Sequence, residues 1–145
     1  MTTKFSRNRA RVQPTPKVCK SPKPIPPVAP TYPTTIAGGG NWNVAYLMFQ
    51  FSTLNTGATL TQGPGNVYTG TMLDTNGRTW TMTVTLNIGS ATTCTFSCPT
   101  FAAGGNDFTG TGDVWNGVKP HSQTGLGLTP APNILGGATW SYGIS

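Results

Sequence analysis

The sequence contains no glutamate, only three aspartates (Asp74, Asp107 and Asp113), and a single histidine, His121. Glycoside hydrolysis needs a pair of carboxylates in different environments, and the chain offers few candidates. Asp74 and Asp113 stand at a turn or beside a glycine, where aspartate side chains bond nearby backbone N–H groups, so turn formation explains both. His121 lies in a predicted loop, and we prefer a solvated loop histidine to a member of a Ser-His-Asp triad.

The motifs of several enzyme classes are also missing. The chain has no P-loop and no nucleophile-elbow sequence, and its glycine run at residues 38–40 precedes no predicted helix that would bind a phosphate. We therefore predict that the protein is not an enzyme, with no catalytic residue and no cofactor.

Long apolar runs are absent too. The longest strongly apolar stretch, residues 44–49, is far shorter than the roughly 18 residues of a transmembrane helix, so no membrane partner is expected. The basic N-terminus is not followed by the apolar segment of a secretory signal peptide. We therefore expect a protein that is made in the cytoplasm.

Cysteine is scarce, with only Cys19, Cys94 and Cys98. Along a strand, Cys94 and Cys98 would stand about 13 Å apart, which is beyond the reach of a disulfide. We expect small, reduced and buried side chains, as is usual for free cysteine. A zinc site would need two further ligands, and only Cys19 and His121 are available, so we predict no metal site.

Cations and prolines are concentrated at the start of the chain, in residues 1–36, which we call the arm. The arm carries seven of the nine cations and eight of the thirteen prolines, and it contains no acid and no glycine. Its charge is therefore +7, whereas residues 37–145 hold two cations against three acids, a net charge of −1. The overall pI of about 9.6 thus reflects the arm alone.

Proline at every second or third position excludes a helix and favours an extended, polyproline II chain. With one sign of charge and few apolar residues, the arm cannot offset its own ordering entropy, so it needs a partner. Residues 14–33 would span about 60 Å at roughly 3.1 Å per residue, which suits a strap across neighbouring subunits. The residues predicted to contact the partner are Lys4, Arg7, Arg9, Arg11, Lys17, Lys20, Lys23, Pro24, Pro26, Pro27 and Tyr32.

Residues 37–145 have the composition of a β domain. All nineteen glycines lie here, and Ala-Gly-Gly-Gly at 37–40 is predicted to be a flexible hinge. Residues 78–88 alternate apolar side chains with polar ones, mainly threonine, which gives one core face and one wet face. Further strands are predicted at 41–51 (apolar enough to be covered on both faces), 58–62, 67–73, 92–98 and 138–144. We expect an antiparallel β-sandwich or small barrel of about six to eight strands over 41–145, with 117–137 as a long loop.

A short pattern occurs twice, 40 residues apart. Residues 65–77 and 105–117 share G-N-x-aromatic-T-G-T-x4-N-G. Asn-Gly between two strand-like runs is a strong hairpin signal, because both residues tolerate positive φ. We therefore predict two similar hairpins.

The four tryptophans are the strongest candidates for a sugar-binding platform. Trp80 and Trp140 fall on apolar faces and are predicted to lie in the core. Trp115 stands beside an Asn-Gly turn and is the candidate for an exposed ligand contact.

A basic extended arm joined to a nearly neutral β domain resembles, over the whole chain, the layout of virion structural proteins, which include coat proteins and the cement or decoration proteins of phage heads. The resemblance implies a β domain in a capsid lattice and an arm that contacts the major capsid protein or other virion subunits. It also implies a homo-oligomer or lattice, located in the virion. We expect a capsid cement, decoration or minor capsid protein whose arm straps onto neighbouring subunits.

Other functions remain open. Residues 4–11 would neutralise about four phosphates in a small coat protein whose arm binds the genome. The proline-rich part favours a protein groove instead, because polyproline II has little entropy left to lose. A carbohydrate- or receptor-binding domain of a fibre or tail would use Trp115. A cytosolic partner of polyproline-recognising domains would use residues 24–27.

Overall fold

The computed structural model describes residues 31–102 and 105–145. These residues contain no helix, and therefore none that could cross a membrane. They form the strands β1 (Thr35–Tyr46), β2 (Gln50–Gln62), β3 (Val67–Leu73), β4 (Thr79–Thr85), β5 (Ala91–Ser97), β6 (Asn106–Val114), β7 (His121–Pro130), β8 (Ile134–Leu135) and β9 (Ala138–Ile144). The all-β prediction is confirmed.

The strands form a closed antiparallel barrel. Each of β1 to β6 pairs with the next strand in sequence, β7 pairs with β9, and β9 pairs with β1. Eight strands thus close the ring, and the two-residue β8 adds to the end of β1. Closure pairs every strand of the ring on both sides, although the β2–β3 ladder has only two residue pairs and the β6–β7 ladder only three. The sequence left sandwich and barrel open, and the structure is the barrel.

Aromatic side chains fill the barrel interior. The Trp42 ring lies 4.8–4.9 Å, centroid to centroid, from the rings of Trp80, Phe96 and Phe108. Trp80 and Trp140 are buried, as predicted. The fully buried aromatic residues are Tyr68, Trp80, Phe96, Phe101, Phe108, Trp115 and Trp140. An interior filled in this way is a packed core, as expected for a barrel of eight strands.

A buried carboxylate, Asp74, ties one end of this core together. Its Oδ2 accepts hydrogen bonds from Ser52 Oγ (2.7 Å) and Trp80 Nε1 (3.1 Å), and its Oδ1 accepts from the backbone N–H groups of Asn76 and Arg78. Burial tends to raise the pKa of Asp74, but these donors outweigh it and hold the pKa below its ordinary value. The turn role predicted for Asp74 is confirmed, and the carboxylate also serves the core.

The two copies of the repeated pattern begin alike but form different connections. Both start a strand whose aromatic residue, Tyr68 or Phe108, is buried, and both reach a glycine with positive φ, 79° at Gly77 and 89° at Gly117. The β3–β4 pairing extends to residues 73 and 79 beside the turn, whereas the β6–β7 pairing stops at residues 110 and 128. The prediction of two similar hairpins therefore holds for the first copy only.

Threonines form a continuous ladder around the outside of the barrel. Directly paired residues of antiparallel strands lie on the same face, so an unbroken series of Thr–Thr pairs marks a single row. The row runs through seven strands: Thr35, Thr61, Thr69, Thr83, Thr95, Thr109 and Thr129. This uncharged row suits strands, because threonine is β-branched and its hydroxyl still faces solvent.

The prediction of a flexible hinge at residues 37–40 is wrong. These residues lie inside β1 and pair with both β2 and β9. Their glycines are required by close packing: a Cβ added at Gly38 would lie 2.7 Å from the Met82 sulfur and 2.8 Å from Leu60. Because β1 begins at Thr35, the last residues assigned to the arm also belong to the barrel.

The prediction of a long loop over residues 117–137 is also wrong. Most of this segment belongs to β7 and β8, which the sequence did not reveal because the prolines and glycines here resemble loop residues. Pro120 precedes the strand and Pro130 ends it, so neither interrupts it. Gly125 has a φ of 66° where the β7–β9 register shifts, which marks a bulge.

Candidate functional site

The two ends of the barrel differ in chemistry. One end of the barrel, which we call the exit pole, carries residues 31–34 before β1 and the β4–β5 and β6–β7 connections. The opposite end, which we call the tip pole, carries the β1–β2 turn.

Residues 31–34 cross the exit pole and are bonded to it. The Tyr32 ring packs edge-on against Trp115, with 5.8 Å between centroids, and its hydroxyl accepts a hydrogen bond from Ile88 N–H. The Tyr68 hydroxyl donates to the Pro33 carbonyl oxygen at 2.6 Å. The chain that leads out to residue 30 is therefore held at a defined place on the barrel.

A cluster of three titratable side chains lies at the same pole. The Tyr142 hydroxyl donates to Asp113 Oδ1 at 2.6 Å, and His121 Nε2 lies 3.0 Å from that oxygen and 3.1 Å from the phenol oxygen. β6, β7 and β9 each supply one of these residues, and Gln123 Oε1 accepts from the Asp113 N–H. The prediction of a solvated loop histidine is wrong, because His121 is half-buried and begins β7.

The hydrogen bonds in this cluster set its electrostatics. Burial tends to raise the pKa of Asp113, but the bonds from Tyr142 and His121 outweigh it and lower the pKa below its ordinary value. Burial, followed by the bond to the Asp113 carboxylate, raises the pKa of Tyr142 to about 12. At neutral pH the cluster therefore contains a carboxylate that accepts a hydrogen bond from a neutral phenol.

A groove of about 400 Å³ opens beside this cluster, with His121 in its wall. Its lining combines the starts of β1 and β7 with the end of β9, including Ile36, Ser122 and Ile144. The hydrogen-bond partners of the His121 ring are Asp113 and Tyr142, and neither is a nucleophile of the Ser or Cys type. The cluster joins three strands, and it does not form a Ser-His-Asp triad.

The tip pole carries exposed apolar side chains, which we call the tip patch: Leu47, Met48, Phe49, Phe51 and Leu135. Met48 and Phe49 are 71% and 67% exposed. Leu135 pairs with Ala45, which pairs with Phe51, so the three share one outer row across β8, β1 and β2. The patch is therefore continuous, which is unusual for side chains of this kind in contact with water.

The tip turn has a strained backbone. Leu47 and Met48 have φ values of 52° and 65°, a region that glycine and asparagine adopt readily and bulky residues do not. The sequence reasoning missed this turn, since it placed residues 41–51 in one strand covered on both faces. That prediction is wrong, because the chain turns at residues 47–49 between β1 and β2. The turn was not predicted because residues 47–49 include no Gly, Pro, Asn or Asp.

Asp107 is a buried acid without a strong partner. It is 1% exposed, and one carboxylate oxygen accepts from the Cys98 N–H at 3.1 Å. Burial raises the pKa of Asp107 to about 6, and only that hydrogen bond opposes the change. Cys94 and Cys98 are buried free thiols, as predicted. Among the described residues, no group of three or more His, Cys, Asp or Glu could hold a metal ion.

The structure describes only two of the residues that the sequence predicted to contact a ligand or a partner, Trp115 and Tyr32. Trp115 is fully buried, and its Nε1 donates to the Val118 carbonyl oxygen, so the prediction of an exposed ligand contact is wrong. Tyr32, predicted to contact a partner, packs on its own barrel instead. The other predicted contacts lie outside the described residues: Lys4, Arg7, Arg9, Arg11, Lys17, Lys20, Lys23, Pro24, Pro26 and Pro27.

Comparison with protein-family models, curated proteins and solved structures finds no match to this chain. Functional inference therefore depends on the geometry of the two poles and on the composition of residues 1–30.

Proposed function

We propose that the protein is a non-enzymatic structural subunit of a virion, a capsid cement, decoration or minor capsid protein. In this proposal the barrel occupies a position in a lattice, and residues 1–30 strap onto neighbouring subunits. The observation that carries the proposal is the anchoring of residues 31–34 at one pole. A basic, proline-rich segment that leaves a rigid body at a fixed point is well placed to reach a neighbour.

The closed barrel supports a role for the arm in assembly. A sheet with free edges can recruit a partner by adding a strand, as many assembly proteins do. All eight barrel strands here are paired on both sides over at least part of their length. Contact with other subunits then depends on side chains and on residues outside the barrel.

The distribution of charge suits a partner with an acidic surface. Residues 1–36 carry +7, and the rest of the chain carries −1. This asymmetry favours contact of residues 4–11 with an acidic shell surface or with nucleic acid, and salt should weaken that contact. The proline-rich part that follows is suited to a groove in a capsid protein.

The site geometry favours binding over catalysis and over sugar recognition. The His121 ring is bonded within its own cluster, to Asp113 and Tyr142. The burial of Trp115 removes the residue on which a carbohydrate platform depended. We therefore keep assembly as the proposed function.

A sedimentation experiment tests the proposal. The full chain and a variant without residues 1–30 are produced in the native source, and each lysate is centrifuged through a sucrose gradient. We expect the full chain to sediment with particles that electron microscopy can image, and the truncated chain to stay near the top. If the truncated chain sediments with the particles as the full chain does, the role given to the arm is wrong.

A further inference from the structure

We infer that the tip patch is the docking site for residues 24–30 of a second copy of this chain. The inference rests on the proposed function and names a partner for the arm. This contact would join copies head to tail, because residues 24–30, which precede the exit pole of one copy, would bind the tip patch of the next.

Residues 24–30 and the tip patch are chemically complementary. Residues 24–30 read Pro-Ile-Pro-Pro-Val-Ala-Pro, seven apolar residues without a charge, although cations are dense before them. Proline-rich segments dock on exposed aromatic side chains, because a polyproline II chain loses little entropy on binding. The tip patch offers two such rings, Phe49 and Phe51, which are 67% and 51% exposed.

The backbone of the tip turn is strained. Positive φ is unfavourable for bulky residues, and such strain clusters at binding sites. Asparagine or glycine at Leu47 and Met48 would avoid the strain, but it would also remove exposed apolar surface. The chain therefore keeps apolar side chains where the turn alone would favour polar or small ones.

Residues 24–30 are too short to reach the tip of their own barrel. β1 has twelve residues, so the two poles lie about 28 Å apart once the tilt of barrel strands is allowed for. Stretched back along the barrel from residue 31, Pro27 would reach about 12 Å and Pro24 about 22 Å. Because residue 31 lies at the exit pole, residues 24–30 cannot cover the tip of their own barrel.

A contact between two different surfaces of identical copies is heterologous, so it generates rings or open chains of subunits. Sedimentation velocity of the full chain over a range of concentrations should show such oligomers. The tip variant Met48→Asn/Phe49→Ser should raise the concentration at which half of the chains associate by at least tenfold. Asparagine at position 48 tolerates the positive φ, so the barrel should stay folded.

Two further variants make the test specific. The arm variant Ile25→Asp/Val28→Asp keeps every proline and should lose association to the same degree. Val118→Ser is the matched control, because Val118 is 64% exposed but lies at the exit pole. It should associate as the unmodified chain does.

Mixing provides the decisive result. The tip variant still has an intact arm, and the arm variant still has an intact tip, so an equimolar mixture should form one-to-one dimers and nothing larger. Association of the arm variant with itself would indicate tip-to-tip contact and would overturn the inference. Loss of association in Val118→Ser, or its retention in the tip variant, would also overturn it.

A full chain that stays monomeric at every concentration would refute docking between copies. The proposed function would survive that result, because its own test is sedimentation with particles, in which the arm can contact a different protein. The two ideas therefore fail separately.

Discussion

Asp107 shows how burial of one side chain creates a dependence of stability on pH. Its pKa is raised from 3.8 to about 6 by burial in the fold. The folded state therefore holds its proton more tightly than the unfolded state does. The corresponding contribution to stability is complete below about pH 4 and is lost as the pH rises through about 6.

We predict that Asp107→Asn removes this loss, because asparagine imitates the protonated acid and can still accept from Cys98 N–H. Relative to the unmodified chain, the variant should gain up to about 3 kcal/mol of unfolding free energy between pH 4 and pH 7. Urea unfolding at several pH values measures this.

Asp113→Asn is the control for Asp107→Asn, because the pKa of Asp113 is lowered and its contribution is lost only in more acidic solution. It should keep the fall in stability between pH 4 and pH 6. An unchanged pH profile in the Asp107 variant would contradict the assignment.

At the scale of single strands, the glycines of β1 pack closely against side chains of the barrel interior, which the sequence did not indicate. A Cβ at Gly40 would lie 2.6 Å from the Trp42 ring and 3.1 Å from Leu54. We predict that Gly40→Ala lowers the unfolding free energy by about 1–3 kcal/mol, as overpacked cores do. Gly127→Ala, in β7 where nothing lies within 4 Å, should be neutral or slightly stabilising. Equal effects in chemical denaturation would count against the packed strand.

The threonine ladder makes a second prediction for the strands. Thr83 pairs directly with Thr95, and both face outward. Lysine at both positions places like charges opposite each other, whereas Thr83→Lys with Thr95→Asp places opposite charges there. The two double variants should differ by about 0.5 to 1 kcal/mol at low salt, and high salt should reduce the difference. Thermal unfolding at two salt concentrations tests this, and an equal difference at both salts would argue against a direct pair.

Strand predictions succeeded where side chains alternate and turns carry their usual residues. β4 and the Asn-Gly turns follow this rule, and the predicted strand type was confirmed there. Prediction failed at 37–40, where three glycines signal a hinge although interior packing requires them in a strand. It also failed in β7, where proline and glycine stand at the strand ends and at a bulge. The packing against residues 38–40 and the bulge in β7 both depend on residues distant in sequence, so neither could be predicted from the local sequence.

For the whole molecule, the boundary between arm and barrel can be tested by truncation. The barrel uses Tyr32 against Trp115, the Pro33 carbonyl oxygen and the buried Ile36. We predict that removing residues 1–30 leaves the melting temperature nearly unchanged. Removing residues 1–36 should lower it by roughly 10 °C or more, because buried apolar contacts are lost. Equal melting temperatures in differential scanning calorimetry would show that 31–36 contribute nothing.

The candidate sites were less predictable than the fold. Composition drew attention to residues 1–36, most of which lie outside the described residues. The tip patch had one signal, the apolar run 44–49, but the sequence did not reveal that the chain turns there. The His121 cluster joins residues from three strands, so only the closed barrel brings them together.

Closure of the barrel has a consequence for how copies could join and separate. Because β9 pairs with β1 and closes the barrel, a neighbouring subunit can attach without forming or breaking a backbone hydrogen bond between strands. A subunit could then enter a shell, leave it and enter another without passing through a partly opened form. Amide hydrogen exchange within β3, β4 and β5 should accordingly be no faster in the incorporated protein than in the free one.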